Sequence, residues 1–134
     1  MKLIVCLDDH NAMAFNNRRQ SMDRKLRAQM LERCKSARLW MNSYSSRQFE
    51  ELPEFVTVDD NFLQLAEKES FCFVENTDVT PFAHKIDNVI VYRWNRVYPA
   101  DLYFPEELLK NRRNVSSREF VGSSHDRITE EIYE

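Results

Sequence analysis

MKLIVCLDDHNAMAFNN, residues 1–17, says most about how this chain folds. An apolar run, Leu3–Leu7, ends abruptly at Asp8 and Asp9, and a small-residue loop with a polar turn at 16–17 follows. Such a run is typical of a strand that is buried on both faces of a parallel sheet. The loop after it would then lie at the sheet edge where α/β proteins bind their ligands.

Composition narrows the class of protein. The 134 residues, of which 43% are hydrophobic and 12% aromatic, suit a single domain over 1–134 with one core. A net charge of −3 does not favour nucleic acid as a partner, and no apolar run approaches the roughly 20 residues that cross a bilayer. The three cysteines have neither disulfide nor zinc-site spacing, so we expect them to be reduced and the protein to be cytoplasmic.

The chain contains one glycine, Gly122. Loops that wrap phosphates closely usually need glycine, because a side chain keeps the backbone away from the ligand. The composition therefore argues against a P-loop and against a GxGxxG dinucleotide fingerprint.

Apolar segments alternate between strand and helix patterns along the chain. The predicted strands are Lys2–Leu7, Arg38–Met41, Phe55–Val58, Phe71–Val74 and Asn88–Trp94. The predicted helices are Ser21–Cys34 with Ser21 as N-cap, Ser43–Leu52, a short helix through Phe62, Leu63 and Leu65 capped by Asp59, and Thr80–Lys85. This order predicts a three-layer α/β fold, with a mostly parallel central sheet covered on both faces.

The tail has a different pattern. Glu119–Val121 and Arg127–Tyr133 flank the turn residues 122–124, which favours an antiparallel C-terminal hairpin. A helix is the competing interpretation, because Ile128 and Ile132 are four residues apart. We favour the hairpin.

Several segments, taken in order, match one known family. Asp9-x-Asn11-Ala12-Met13-Ala14-x-Asn16 is similar to D-x-N-x-G-I-G-x-N, and Leu39–Ser45 with Phe49 is similar to V-I-M-G-R-x-T and its helix. Phe71–Val74 takes the place of a central nucleotide-binding strand, and Ala100–Pro105 is similar to G-D-T-x-F-P. Together these segments resemble the dihydrofolate reductase family. The resemblance implies that family's fold, an NADPH cofactor and a pterin-like substrate.

The chain departs from the family at the cofactor site. Glu75 and Asn76 stand where the family has a Gly-Gly pair beside the cofactor pyrophosphate, and Ala12 and Ala14 replace the loop glycines. A carboxylate next to a pyrophosphate costs Coulomb energy, and a side chain blocks the approach of the ligand. NADPH therefore stays a candidate cofactor whose glycine motif is missing.

The resemblance also suggests where a ligand would bind. Asp23 is the nearest match to the family's substrate-binding carboxylate and is our catalytic candidate, although a carboxylate in a first helical turn also suits the helix dipole. Ser43, Ser45 and Arg47 could hold a phosphate at a helix start, or the serines could simply cap that helix. The remaining candidate ligand contacts are Cys6, Asp8 and Asp9 on the substrate side, and Glu75 and Asn76 on the cofactor side.

Other clusters give weaker signals. Asp8 and Asp9 could join other loop carboxylates around Mg²⁺, as in a small nuclease, but the sequence cannot show convergence and we assign no metal ligand. His125 follows Ser123 and Ser124, yet a Ser–His nucleophile needs an orienting acid, and none is visible in the sequence. We therefore interpret these residues as a turn.

A cluster of cations keeps an anionic partner, such as a nucleotide, open as an interpretation; it consists of Arg18, Arg19, Arg24, Lys25 and Arg27. Tyr92, Trp94 and Tyr98 alternate with cations in a pattern that can stack on bases, but we favour the interpretation that these aromatic residues belong to the core at a sheet edge. Our prediction is a dihydrofolate reductase-like domain that binds a nucleotide-like or heteroaromatic ligand without standard reductase chemistry. The alternatives are a divergent NADPH-dependent reductase of a pterin-like substrate and, more weakly, the Mg²⁺-dependent nuclease. Whether the chain is an enzyme, and whether it forms oligomers, the sequence leaves open.

Overall fold

The computed structural model describes residues 1–134. Its strands are β1 (Lys2–Leu7), β2 (Ala12–Phe15), β3 (Arg18–Arg19), β4 (Leu39–Met41), β5 (Val56–Val58), β6 (Phe71–Val74), β7 (Asn88–Arg93), β8 (Leu102–Tyr103), β9 (Asn114–Phe120) and β10 (Ile128–Tyr133). Its helices are α1 (Arg24–Cys34), α2 (Ser43–Ser46), α3 (Phe62–Leu65), α4 (Glu107–Lys110) and a 3₁₀ helix, Thr80–Lys85. The longest helix has 11 residues, and no helix combines the length and apolar character needed to cross a membrane.

Seven strands form the main sheet in the order β5-β4-β6-β1-β7-β10-β9. The first five are parallel to one another, and β10 runs antiparallel to both β7 and β9. The predicted α/β architecture, with a mostly parallel sheet and an antiparallel C-terminal hairpin, is therefore confirmed. The competing helix over the last residues is wrong, because Ile132 pairs with Ile90 of β7 in the sheet.

The alternation of side chains in β1 builds the two sides of the core. Leu3, Val5 and Leu7 point to one face of the sheet, where they pack with apolar residues of α3 and α4. Ile4 points to the other face, where it packs with the buried stripe of α1. That stripe consists of Leu26, Met30 and Cys34. Burial on both faces explains why β1 is almost continuously apolar.

A second, small sheet, in the order β3-β2-β8, follows β1. We predicted a loop before the polar turn, and this prediction was wrong because the residues on both sides of the turn pair as strands. Asn16 and Asn17 have φ angles of 51° and 62°. Both central residues of the turn thus have positive φ, as in the type I′ turn that commonly joins two strands, and asparagine tolerates this conformation better than most residues. Arg18 and Arg19 form the second strand of this hairpin.

The start of α1 differs from the prediction. The N-cap is Asp23, with φ −149° and ψ 124°, and its side chain accepts a hydrogen bond from the Leu26 backbone N–H at 3.1 Å. Ser21 lies two residues before this cap, so Asp23 is not inside the first turn. Serine and aspartate are both good N-caps, and the sequence alone favoured the wrong one.

Three other local predictions need correction. The predicted helix Ser43–Leu52 is only α2, because the chain leaves it through i→i+3 turns at Gln48 and Phe49. Asp59 does not cap α3, whose N-cap is Asn61. The Asp59 carboxylate instead accepts a hydrogen bond from the Asn61 backbone N–H, before the helix begins. Strand β9 extends back to Asn114, well before the predicted start at Glu119, and we predicted neither β8 nor α4.

Candidate functional site

Glu75 lies directly after β6, at the edge of the sheet where the cofactor site was expected. It is only 6% exposed, and its carboxylate accepts hydrogen bonds from Ser45 Oγ at 2.8 Å and Gln48 Nε2 at 2.9 Å. Arg19 completes the set, with Nε at 2.9 Å and Nη2 at 3.2 Å from the two carboxylate oxygens. A buried carboxylate with these partners is satisfied by the protein itself.

The hairpin β2–β3 is held across the end of β6 by further contacts. The Arg19 guanidinium lies 4.2 Å from the centre of the Tyr44 ring, and the backbone N–H of Arg19 donates to the Tyr44 hydroxyl at 2.9 Å. Asn76 Nδ2 donates to the Asn17 carbonyl at 3.0 Å, and Asn42 Nδ2 donates to Asn76 Oδ1 at 3.1 Å. The hairpin is therefore fixed by contacts at both Arg19 and Asn17.

These residues do not fit the pyrophosphate of a nicotinamide cofactor bound after β6. The carboxylate of Glu75 carries the same sign of charge as a pyrophosphate, and its compensating cation, Arg19, is already paired with it. The side chains of Glu75 and Asn76 also occupy the space that a pair of glycines would leave open.

The residues predicted to hold a phosphate at α2, namely Ser43, Ser45 and Arg47, do not share one site. Ser45 is buried and bonded to Glu75, and its backbone N–H donates to Asn42 Oδ1 at 2.9 Å. The Ser43 N–H donates to Asp60 Oδ1 at 2.9 Å. Both N–H groups thus have acceptors within the protein. Arg47 is exposed and lines a polar groove of about 330 Å³ together with Asn17, Asn42, Ser43, Tyr44, Asp60, Asn76 and Thr77.

Asp23 is 2% exposed, and both of its carboxylate oxygens have partners. Besides the Leu26 N–H, they accept the backbone N–H groups of Ser123 at 3.1 Å and Ser124 at 2.9 Å, and His125 Nδ1 at 2.9 Å. Burial alone would raise the pKa of Asp23, but the hydrogen bonds outweigh it and hold the pKa well below the usual range. The carboxylate therefore joins the start of α1 to the turn before β10.

The single glycine lies against this carboxylate. A Cβ atom at Gly122 would stand 2.3 Å from Asp23 Oδ2 and 2.9 Å from Ile128 Cδ1. The φ angle of Gly122 is not in the left-handed region. Close approach to Asp23, rather than backbone conformation, is therefore what requires glycine here.

Asp8 is buried and organises the loops around it. It accepts from the backbone N–H groups of His10 at 2.8 Å, Ala12 at 3.0 Å and Tyr98 at 3.1 Å, and from Gln20 Nε2 at 3.2 Å. Burial works to raise the pKa of Asp8, but these hydrogen bonds lower it overall. Asp8 thus fixes β1, β2 and the segment after β7 relative to one another.

The loop carboxylates do not converge. Asp9 is exposed, and its backbone N–H donates to the Arg96 carbonyl at 2.9 Å. Four other loop carboxylates bind separate partners, namely Asp59 with Asn61, Asp60 with Ser43, Asp87 with Met1 and Asp101 with Asn16. No group of three or more His, Cys, Asp or Glu side chains is arranged to hold a metal ion.

Cys6 lies on the α1 face of β1, partly buried against the core on that side. Burial and then the charge of Glu75 raise the pKa of the Cys6 thiol well above its ordinary value. The thiol is therefore protonated and uncharged near neutral pH.

A larger groove than the one at Arg47 lies between the hairpin β2–β3 and the segment after β7. It has a volume of about 450 Å³ and is lined by Phe15, Asn16, Arg18, Arg19, Gln20, Tyr98 and Pro99. The lining contains two arginines and two aromatic rings and no carboxylate. From the sequence we named Arg18, Arg19 and Tyr98 but missed Phe15 and Gln20. Only the hairpin β2–β3 shows that these five residues line one groove.

A hydrogen-bonded chain of three side chains was also missed. His125 Nε2 lies 2.9 Å from Ser21 Oγ, while Nδ1 lies 2.9 Å from Asp23 Oδ2. The imidazole is stacked on Trp94 with ring centroids 4.6 Å apart. The orienting acid that the sequence seemed to lack is thus Asp23, about one hundred residues away.

Strand order, strand direction and the helices on both faces define an α/β protein with the dihydrofolate reductase fold. The structure is similar to that of dihydrofolate reductase from Enterococcus faecalis complexed with NADP(H) and RAB-propyl, with a TM-score of 0.67 and 12% sequence identity. The match covers 98% of this chain and 94% of that chain. No family profile and no curated protein sequence matches the chain. At this identity the similarity shows the fold alone.

Proposed function

We propose that this chain uses the dihydrofolate reductase fold to bind an anionic heteroaromatic ligand of the nucleotide type, without the standard reductase chemistry. The observation that carries the proposal is the ion pair between Arg19 and Glu75 at 2.9 Å. This pair fills the end of β6 with the protein's own charges and fixes the hairpin β2–β3 over it. The ligand then binds on the other side of the hairpin, in the groove that contains Arg18.

The chemistry of that groove suits such a ligand. Arg18 is exposed and has no carboxylate partner, so its guanidinium is free to make the bidentate bonds that phosphate groups favour. Phe15 is 44% exposed and Tyr98 is partly exposed, and aromatic rings of this kind stack on heteroaromatic bases.

Arg19 contributes a second, fixed cation to the same groove. Its Nε and Nη2 atoms donate to Glu75 and to the Tyr44 carbonyl, whereas the one hydrogen-bond acceptor of Nη1 is the sulfur of Met22, at 3.7 Å. A guanidinium that is already held in place loses little side-chain entropy when it binds an anion through its remaining nitrogen.

The first test is thermal unfolding and calorimetric titration with ADP, adenosine and NADPH. A ligand that binds the native state raises its stability by about 2.7 kcal/mol at one hundred times its Kd. We expect ADP to raise the midpoint more than adenosine does, because the groove holds cations. No shift with any of the three compounds would overturn the proposal.

Arginine variants locate the site. Arg18→Gln should weaken ADP binding by about tenfold, since an arginine–phosphate pair contributes about 1.4 kcal/mol or more. Arg47→Gln is the matched control, because Arg47 is an exposed arginine that lines the other groove. If Arg47→Gln weakened binding and Arg18→Gln did not, the ligand would lie on the side that we first predicted, with Ser43 and Asn76.

The same preparation tests the reductase alternative. When the protein is incubated with NADPH and dihydrofolate, the NADPH absorbance should decrease no faster than it does in a protein-free blank. Protein-dependent NADPH oxidation that Asp23→Asn abolishes would contradict the proposal and restore the divergent reductase.

A further inference from the structure

We propose that Ser21, His125 and Asp23 form a nucleophilic site that hydrolyses carboxylic esters. The site does not depend on the proposed nucleotide groove. The evidence is the order of the three groups, their separations and their burial.

The hydrogen bonds run from nucleophile to base to acid. Ser21 Oγ is 2.9 Å from His125 Nε2, and His125 Nδ1 is 2.9 Å from Asp23 Oδ2. A hydroxyl, an imidazole and a carboxylate within hydrogen-bond reach in this order are what an activated serine needs, whatever the fold that supplies them. The side chains of His125 and Asp23 are 6% and 0% exposed, whereas Ser21 is partly exposed. Of the three groups, the nucleophile is thus the one that a solute can reach.

The surroundings hold the imidazole in the productive orientation. Trp94 stacks on one face of the ring at an interplanar angle of 28°. Asp23 is itself fixed by three backbone N–H groups, from Leu26, Ser123 and Ser124. Since the Asp23 carboxylate can only accept, His125 Nδ1 carries the hydrogen and donates it to Asp23, and the Nε2 lone pair then faces Ser21.

The backbone N–H of Met22 is the candidate donor for the developing oxyanion. Met22 follows the nucleophile directly, lies outside every helix and strand, and its backbone N–H donates to no acceptor within the protein. Met22 is also 49% exposed. A backbone N–H next to the nucleophile is a recurring oxyanion donor in acyl-transfer enzymes.

The chemistry balances with water as the only co-reactant. Ser21 Oγ attacks the ester carbonyl carbon and gives its proton to His125 Nε2. The bond between that carbon and the alcohol oxygen breaks, and the alcohol leaves with the proton from His125. Water then attacks the acyl-serine, giving its proton to His125, which returns a proton to Ser21 Oγ as the carboxylic acid leaves.

Covalent labelling tests the nucleophile first. A fluorophosphonate reacts with activated serines by losing fluoride, and peptide mapping then identifies the modified residue. We expect Ser21 to be labelled in the wild-type protein and label to be absent in Ser21→Ala. Ser117→Ala is the matched control, since Ser117 is an exposed serine of β9 away from the three groups, and it should retain the label on Ser21.

Turnover tests the base. Hydrolysis of p-nitrophenyl acetate should fall by about 100-fold or more when His125 is replaced by Gln, which is the usual contribution of a general base. The hydrolysis rate of Ser21→Ala should fall equally far. The thermal midpoint of this variant should change little, because the substitution removes one partly exposed oxygen.

Two outcomes would overturn the proposal. The first is a folded wild-type protein that is not labelled at Ser21 and does not turn over p-nitrophenyl acetate faster than Ser21→Ala. The second is a His125→Gln variant that keeps a wild-type midpoint and a wild-type labelling rate. If His125→Gln does not fold, the comparison of wild type with Ser21→Ala decides.

Discussion

Gly122→Ala should destabilise the protein far more than a surface glycine normally would. The added Cβ would lie 2.3 Å from Asp23 Oδ2, whereas ordinary van der Waals contact begins at about 3.4 Å. The carboxylate would have to move by about 1 Å, and it would then lose the bonds from Ser124 N and His125 Nδ1, which are both 2.9 Å long. Overpacking costs about 1–3 kcal/mol and a hydrogen bond to a charged group about 1.5–3 kcal/mol, so we expect a loss of about 3 kcal/mol.

Urea denaturation followed by tryptophan fluorescence measures this loss. For a chain of this length, about 3 kcal/mol also corresponds to a fall of roughly 10 °C in Tm. Val121→Ala is the matched control, because Val121 is the preceding residue and is 63% exposed, and it should change stability by less than about 0.5 kcal/mol. A Gly122→Ala variant as stable as this control would refute the close packing of Asp23 against the turn.

Two further predictions concern buried carboxylates. Glu75→Gln should destabilise the protein by about 2 kcal/mol, because Arg19 loses its charged partner, and a double-mutant cycle with Arg19→Gln should show coupling; independent effects of the two substitutions would argue against the pair. The pKa of Asp23 is depressed in the folded state, so its contribution is present above the unfolded value of about 3.9 and is lost as the pH falls below it. The urea midpoint of the wild-type protein should therefore decline between about pH 4 and pH 2, and the midpoint of Asp23→Asn should decline less steeply with pH. Equal pH dependences of the two midpoints would exclude Asp23 as a source of the acid sensitivity.

The sequence predicted the main sheet because local patterns determine it. The apolar run in β1 and the regular alternation of strands and helices were sufficient to place five parallel strands and the final hairpin. It failed for β3, which has two residues, both of them arginine, and pairs only because the Asn16–Asn17 turn folds it back. It failed for the N-cap of α1 because Ser21 and Asp23 are equally good local candidates, and a tertiary contact with the turn before β10 decides between them.

The candidate site shows the same limit more strongly. The chain has Glu75 and Asn76 where the family has glycines after β6, but the partner of Glu75 could not be deduced from the sequence. Arg19 reaches it from a hairpin 56 residues earlier in the sequence. Likewise, Ser21 and His125 are 104 residues apart. Contacts of this range depend on the assembled sheet, and a single sequence contains no local signal for them.

The most direct test of the ligand-binding account is a titration of the ¹⁵N-labelled protein with ADP and, separately, with NADPH, followed residue by residue in NMR spectra. The account predicts that ADP shifts the amide resonances of Phe15, Arg18 and Tyr98 and leaves those of Ser43 and Asn76 unchanged. NADPH, if it binds, should affect the same groove as ADP. Saturable NADPH shifts centred on Ser43 and Asn76 would contradict the account and show that the cofactor site after β6 is still in use.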